Sequence, residues 1–154
     1  MSIPKFLLTL SCLLVICLFS SKALAQSEED LQEMYSKVLD KRGWSPVVDA
    51  DGDVQFEAED RTYFIEVNED DLDYFRLVLP NIWPIESFKE GLDVLIACDE
   101  VNSTVKVARA YTVQDNVWVE VDIFVRRPKD FEDVLDRCME SIDLAVNTFV
   151  DAMR

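Results

Sequence analysis

The side chains that most often carry out chemistry in proteins are scarce in this sequence. It contains no histidine, which removes the residue best suited to proton transfer at neutral pH and also the commonest metal ligand. Its three glycines, Gly43, Gly52 and Gly91, are too far apart to form a phosphate-binding loop. Its 31 acidic residues are so abundant that adjacent carboxylates are expected by chance, and no glycosidase-type pair stands out. The sequence therefore predicts no catalytic residues and favours a protein that is not an enzyme.

One acidic segment, Asp49–Asp53, resembles the beginning of a calcium-binding loop. The EF-hand pattern requires glycine at its sixth position and glutamate at its twelfth, where this chain has Val54 and Asp60. The residues that follow alternate as a strand does, and a calcium loop would lead into a helix. We interpret the segment as a tight turn and predict no metal ligand and no cofactor. A small acidic protein that binds a cation or ligand at this turn is the alternative.

Two cysteines and one asparagine motif could be modified in an exported protein. Cys98 and Cys138 are the only two cysteines after the first 25 residues, and an even number of cysteines in an oxidising compartment favours a disulfide. Both also suit the apolar faces of helices, and we predict that they are buried and unbridged. The segment 102–104 matches the glycosylation pattern, but it is explained more simply as a polar turn between a helix and a strand.

The first 25 residues have the three parts of a secretory signal peptide. Lys5 precedes a mostly apolar run at 6–19, and the segment ends in Ala23-Leu24-Ala25. A transmembrane anchor is the first alternative, but 14 residues are too few for a bilayer core, which takes about 20. A lipoprotein is the second, although the residues before the segment's cysteines fit poorly. We predict a signal peptide at 1–25 and an exported, periplasmic or secreted domain at 26–154, with no stable membrane insertion.

The negative charge of the chain limits the classes of molecule that it can bind. The formal net charge is −16, and it becomes −18 once Lys5 and Lys22 leave with the signal peptide. Such a surface repels phosphates, so nucleic acid and anionic membranes are poor partners. The acidic balance fits basic proteins, cations or a simple requirement for solubility.

Hydrophobic periodicity predicts three helices and a sheet. Helices are expected at about 27–42, with Ser27 as its N-cap, at about 85–100, and after a cap at Asp130. The second helix shows an apolar face that we expect to be buried: Ile85, Phe88, Leu92, Leu95 and Ile96. Strands are expected at about 53–58, 61–67 and 72–79, and Pro80 and Pro84 bracket a loop. The order α-β-β-β-α-β-β-α predicts a single α+β domain with packed helices on a mostly antiparallel sheet.

The longest alternating segment, 104–125, predicts a β-hairpin. Apolar and polar residues alternate on both sides of a polar break at 114–116. A two-residue turn at Asp115 and Asn116 would place Arg109 opposite Asp122. A register shift of one residue would exchange the two faces of the hairpin.

This pairing gives the hairpin one face of small and branched residues, which suits helix packing, and one aromatic face. Helices one and three would cover the small face, so the short second helix would have to cover the aromatic one. We predict that the aromatic face stays partly uncovered and is the candidate interaction surface. The alternative is that the second helix or the loop at Trp83 buries it completely. The residues of the aromatic face are Trp118, Tyr111, Phe124, Val113, Arg109 and Asp122.

Several segments resemble the YbjN family, which is described as sensory transduction regulators of bacteria. They are Asp49–Phe56, Tyr63–Val67, Ala97–Asn102, Lys106–Ala108 and the strand at Val117–Phe124 before a C-terminal helix. The resemblance covers about residues 28–150 and implies a fold similar to type III secretion chaperones, which are small acidic α+β proteins. It defines no catalytic residues.

What the resemblance implies about function agrees with the residue pattern. Chaperones of this kind are usually dimeric and bind segments of other proteins. We therefore expect an exported, non-enzymatic protein-binding module, chaperone-like or regulatory, whose partner is another protein or a second copy of this chain.

Overall fold

The structure is a computed structural model, and it describes residues 27–154. The predicted signal peptide at 1–25 lies outside the described residues. The elements in chain order are α1 (Glu28–Lys41), β1 (Val47–Val48), β2 (Val54–Ala58), β3 (Arg61–Ile65), β4 (Tyr74–Pro84), α2 (Phe88–Thr104), β5 (Ala108–Val113), β6 (Asn116–Phe124), a 3-10 helix (Pro128–Asp133) and α3 (Leu135–Ala152).

The six strands form one antiparallel sheet in the order β1-β2-β3-β4-β6-β5. The predicted α+β class and the antiparallel sheet are confirmed. Two details differ from the prediction. The short strand β1 was not expected, and β4 continues through the proline-bracketed segment that was predicted as a loop. A register shift between Leu79 and Trp83 lets β4 keep its pairing with β6 across Pro80.

Local sequence explains where the first helix begins but not the third. Ser27 caps α1 through a capping box with Asp30, as predicted. The predicted cap at Asp130 is wrong, because this residue lies inside the 3-10 helix and its carboxylate binds Arg127. The helix α3 begins only at Leu135, without a side-chain cap. Its apolar stripe is nevertheless buried, from Leu135 to Phe149.

All three helices pack on the same face of the sheet. One core cluster joins them to strand residues that the register places on one side, including Phe56, Leu77 and Val121. The expectation that the second helix would cover the opposite side is therefore wrong. The helix α2 packs beside α3 and against β5. It lies on the face of the sheet where the small side chains of the hairpin let a helix come close.

The long hairpin forms as predicted, but its register differs by two residues. Its turn is at Gln114 and Asp115, so Arg109 lies opposite Glu120, where Asp122 was expected. Gln114 takes the left-handed backbone conformation, with φ of 52°. Because side chains alternate with a period of two, an even shift leaves the residues paired between β5 and β6 on their predicted faces.

Candidate interaction surfaces

The predicted aromatic face lies on the side of the sheet that carries no helix, and we call it the open face. Phe124 is 80% exposed, while Trp118, Tyr111 and Val113 are partly exposed. The ring of Phe124 lies 6.0 Å from that of Tyr74 on the neighbouring strand. Trp118 donates a hydrogen bond from Nε1 to Oδ1 of Asn81, which holds the indole across the sheet. The structure brings the predicted residues together, and it leaves them accessible.

A buried carboxylate lies at the centre of the open face. Glu120 is fully buried, although no helix covers this side of the sheet. Arg76 donates to its Oε2 from Nε at 2.9 Å, Tyr111 donates its hydroxyl, and Arg109 contacts the other oxygen. Arg76 also pairs with Glu66, which follows the end of β3, so this residue and three strands, β4, β5 and β6, contribute to one charged cluster. Glu120 and Arg76 were not singled out from the sequence, because their partners lie on different strands.

The electrostatics of this cluster keep Glu120 ionised. Burial by itself would raise the pKa of Glu120, but hydrogen bonds from Tyr111 and Arg76 outweigh it, and the pKa is lowered. Burial and the hydrogen bond to Glu120 raise the pKa of Tyr111 to about 12. Burial also disfavours the charged form of Arg76, yet its bonds to Glu120 and Glu66 raise its pKa. At neutral pH Glu120 and Arg76 are therefore both charged, and the hydroxyl of Tyr111 keeps its proton.

The predicted pair of Arg109 and Asp122 is present, at one corner of the cluster. Nη2 of Arg109 lies 2.9 Å from Oδ2 of Asp122, which also accepts a hydrogen bond from the hydroxyl of Tyr74. Arg109 is about half exposed, so the pair contributes orientation more than stability.

A cavity of about 320 Å³ separates Trp118 from the acidic turn at 49–53. Oδ1 of Asp49 accepts hydrogen bonds from the backbone N–H groups of Asp51 and Asp53, and Gly52 has a φ of 93°. Asp53 accepts a hydrogen bond from the N–H of Val67. Burial, with nearby carboxylates, raises the pKa of Asp53. These oxygens serve the turn itself, which agrees with the predicted turn, and within residues 27–154 no acidic or cysteine cluster is arranged to hold a metal ion.

The second helix presents four of the five residues of its predicted apolar face to solvent, while the fifth, Ile85, precedes α2 and packs partly buried against the core. Exposed fractions are 85% for Phe88, 49% for Leu92, 55% for Leu95 and 69% for Ile96, and we call these four residues the α2 stripe. The buried side of α2 is a narrower row of smaller residues: Val94, Ala97, Cys98 and Val101. The expectation that the larger residues are buried was wrong. The sequence does contain a signal for this arrangement, because α2 has a second row of apolar residues. A helix that is apolar on two sides can bury one of them and leave the other exposed.

The two cysteines lie in the core. Cys98 on α2 and Cys138 on α3 are both buried and free, as predicted. Burial raises the pKa of each thiol to about 11, so neither is a reactive thiolate at neutral pH.

Comparison with known proteins supports the fold of this chain and does not assign it to a family. No protein-family model and no curated protein matches the sequence. Among solved structures, the chain resembles YbjN from E. coli, a candidate transcription regulator, with a TM-score of 0.53 and 14% identity over 74% of this chain and 87% of that one. A protein of unassigned function from Methanothermobacter thermautotrophicus gives 0.54 and 16% over 80% and 96%.

A third solved structure has the same fold. A chain of the HopA1–SchA chaperone–effector complex gives a TM-score of 0.53 at 8% identity, over 77% of this chain and 94% of that one. No helix of residues 27–154 combines the length and apolar character needed to cross a bilayer.

The likeness to these solved structures shows that the chain shares the fold of YbjN and of a protein from a chaperone–effector complex, as the sequence resemblance implied.

Proposed function

We propose that the protein is an exported, non-enzymatic module that binds another protein or a second copy of itself, in a chaperone-like or regulatory role. The observation that carries this proposal is the α2 stripe. Four large apolar side chains project from a helix whose opposite side is already in the core. Contiguous exposed apolar surface on a chain with so many charges marks a place where a partner binds.

The spacing of the stripe fits a helix as the contacting element. Phe88, Leu92, Leu95 and Ile96 follow the i, i+4, i+7, i+8 pattern by which amphipathic helices anchor in grooves. The stripe also suits a second copy. In an antiparallel pair centred on Leu92, Phe88 of one copy meets Ile96 of the other, so the contact is self-complementary under a two-fold axis.

Self-association through α2 is tested by replacing stripe residues that the fold does not need. Leu92→Ser combined with Ile96→Ser should leave the melting temperature within a few degrees of wild type and convert a dimer to a monomer in sedimentation velocity. Leu144→Ser is a matched control, because Leu144 is 55% exposed on α3, outside the stripe. If the wild-type protein is monomeric at high concentration, self-association through α2 is excluded. The proposed occupant of the stripe is then a different protein.

The open face is the second surface, and there the proposed occupant is another protein. Trp118→Ala should retain the fold and lose about 1 kcal/mol of stability, because the indole is only partly buried. The same truncation at Trp44, which stacks on the core ring of Phe56, should lower stability more. If the open face is the interface, Trp118→Ala abolishes capture of the partner while dimerisation is unchanged. A loss of 3 to 5 kcal/mol at Trp118 would instead mark it as a core residue.

Export carries its own test. The mature protein should begin at Gln26, because the segment 23–25 has the small residues that signal peptidase requires. Intact-mass measurement of the exported form decides this. A chain that still begins at Met1, or one with a lipid adduct on a cysteine, would contradict export by simple cleavage.

A further inference from the structure

A groove that belongs to neither surface lies where the end of α2 and the start of β5 meet α3. Its volume is about 510 Å³, and we call it the Val107 groove. Its lining residues are Thr104, Lys106, Val107, Ile123, Val134, Arg137, Cys138, Ser141 and Leu144. Val107 and Leu144 form its exposed apolar walls, with 57% and 55% of their surface accessible, and Cys138 is buried. The size is typical of sites for small organic ligands.

The charges of this groove are opposite to those of the molecule. No acidic residue lines it, although the chain has 31 of them, and its two charged groups are Lys106 and Arg137. Within residues 27–154, most basic side chains form ion pairs, but neither of these two does. The hydroxyls of Thr104 and Ser141 donate to carbonyls of their own helices. The two cations are therefore the groups left to bind a ligand.

The backbone at the edge of the groove is held in an unfavourable conformation. Val107 has a φ of 60°, and the N–H of Ala108 donates to the carbonyl of Lys106 at 2.8 Å, which closes a γ-turn around Val107. A β-branched residue rarely adopts this conformation, because its side chain crowds the backbone there. The turn holds the valine side chain at the apolar wall beside Lys106.

From these observations we infer that the Val107 groove binds a small amphiphile with one carboxylate and an unbranched apolar chain, of the type of a medium-chain fatty acid. The carboxylate pairs with Lys106 and Arg137, and the chain lies between Val107 and Leu144. A long acidic segment of a partner is disfavoured, because the rest of the surface repels added negative charge. A ligand with a single charge meets far less of that repulsion.

The test compares ligands of equal chain length by calorimetry, with each ligand kept below its micellar concentration or its solubility limit. Decanoate should bind with 1:1 stoichiometry and at least tenfold more tightly than 1-decanol or decyltrimethylammonium. Lys106→Gln and Arg137→Gln should each weaken decanoate binding by about two- to fivefold, the effect of removing one exposed ion pair, and leave decanol binding unchanged. Leu144→Ser should weaken both ligands.

Two controls locate the site. Lys129→Gln makes the same charge change outside the groove and should have no effect. Leu92→Ser should also leave decanoate binding intact, which separates this site from the α2 stripe and keeps the inference independent of the proposed function. The inference is overturned if decanoate and decanol bind with equal affinity, or if decanoate does not bind at millimolar concentration. It is also overturned if Leu92→Ser loses decanoate binding.

Discussion

At the residue scale, the open face depends on one buried carboxylate. Glu120 would be costly to bury alone, because an unpaired charge away from water destabilises the folded state by several kcal/mol. Arg76, Arg109 and Tyr111 offset that cost, each from a position fixed by the register of its strand. The cluster ties β4, β5 and β6 together on the side of the sheet that no helix supports.

Replacing Glu120 by glutamine should therefore lower stability at pH 7 by about 2–3 kcal/mol, as measured by urea unfolding. Because the folded-state pKa of Glu120 lies below its ordinary value of 4.5, its contribution is complete above that pH. It is lost as the pH falls through the lowered pKa, so the difference between variant and wild type should shrink on acidification. Glu132→Gln, at an exposed residue, is the control, and a pH-independent difference would contradict the assignment.

The thiols give a second prediction at this scale. Cys98 and Cys138 should both react with iodoacetamide after denaturation without reductant, because the structure has them free. In the folded protein at pH 8 both should react slowly, since burial raises their pKa to about 11 and excludes the reagent. Mass spectrometry counts the labels. Unlabelled cysteines in the denatured chain would reveal a disulfide.

At the element scale, the outer edge of β5 is closed by a side chain of α2. Asn102 donates from Nδ2 to the carbonyl of Ala110 at 3.0 Å and accepts from its N–H at 2.9 Å. The amide thus occupies backbone groups that an edge strand would otherwise offer to another chain. This contact gives the asparagine of the glycosylation pattern a structural role.

Asn102→Ala should destabilise the protein by about 1–2 kcal/mol, because two partly buried backbone groups lose their partner. The measurement is thermal unfolding, together with light scattering to detect association through the opened edge. Ser103→Ala, the neighbouring change, removes only a hydroxyl bonded within the helix and should have little effect. Equal melting temperatures for Asn102→Ala and wild type would contradict the role of the amide.

At the scale of the whole molecule, helices on one side of the sheet leave an acidic protein with two uncovered surfaces. The net charge of residues 27–154 is −18, since both basic residues of the N-terminal segment lie outside them. Most of these charges are on the surface, where they repel one another across solvent and oppose the compact state. The same repulsion limits non-specific association through the exposed apolar side chains.

Salt should therefore stabilise the fold. Raising NaCl from 10 to 150 mM shortens the screening length from about 30 to 8 Å, which weakens the surface repulsion more than the buried pairs of Glu120. Scanning calorimetry should show a rise in melting temperature of a few degrees, and a smaller effect of further salt. A fall in melting temperature would mean that surface ion pairs, and not repulsion, dominate the electrostatics.

Local sequence patterns predicted the class of the fold and which residues of the hairpin strands share a face of the sheet. Period-two alternation predicted that Ala110 and Val119 face the core and that Trp118 lies on the opposite side, and the structure has them so. These properties depend on neighbouring residues, so local patterns contain them. An error of two residues in register left them intact.

Tertiary structure alone decided which faces are covered. Periodicity shows that α2 has an apolar row but not that Val94 and Ala97 fit closer to α3 and β5 than Phe88 and Leu92 do. The charged residues of the cluster lie up to 54 positions apart in sequence, from Glu66 to Glu120, and the order of the strands brings them together. Packing chooses among alternatives that local pattern leaves equal, because the free energy of burial depends on how closely whole elements fit together.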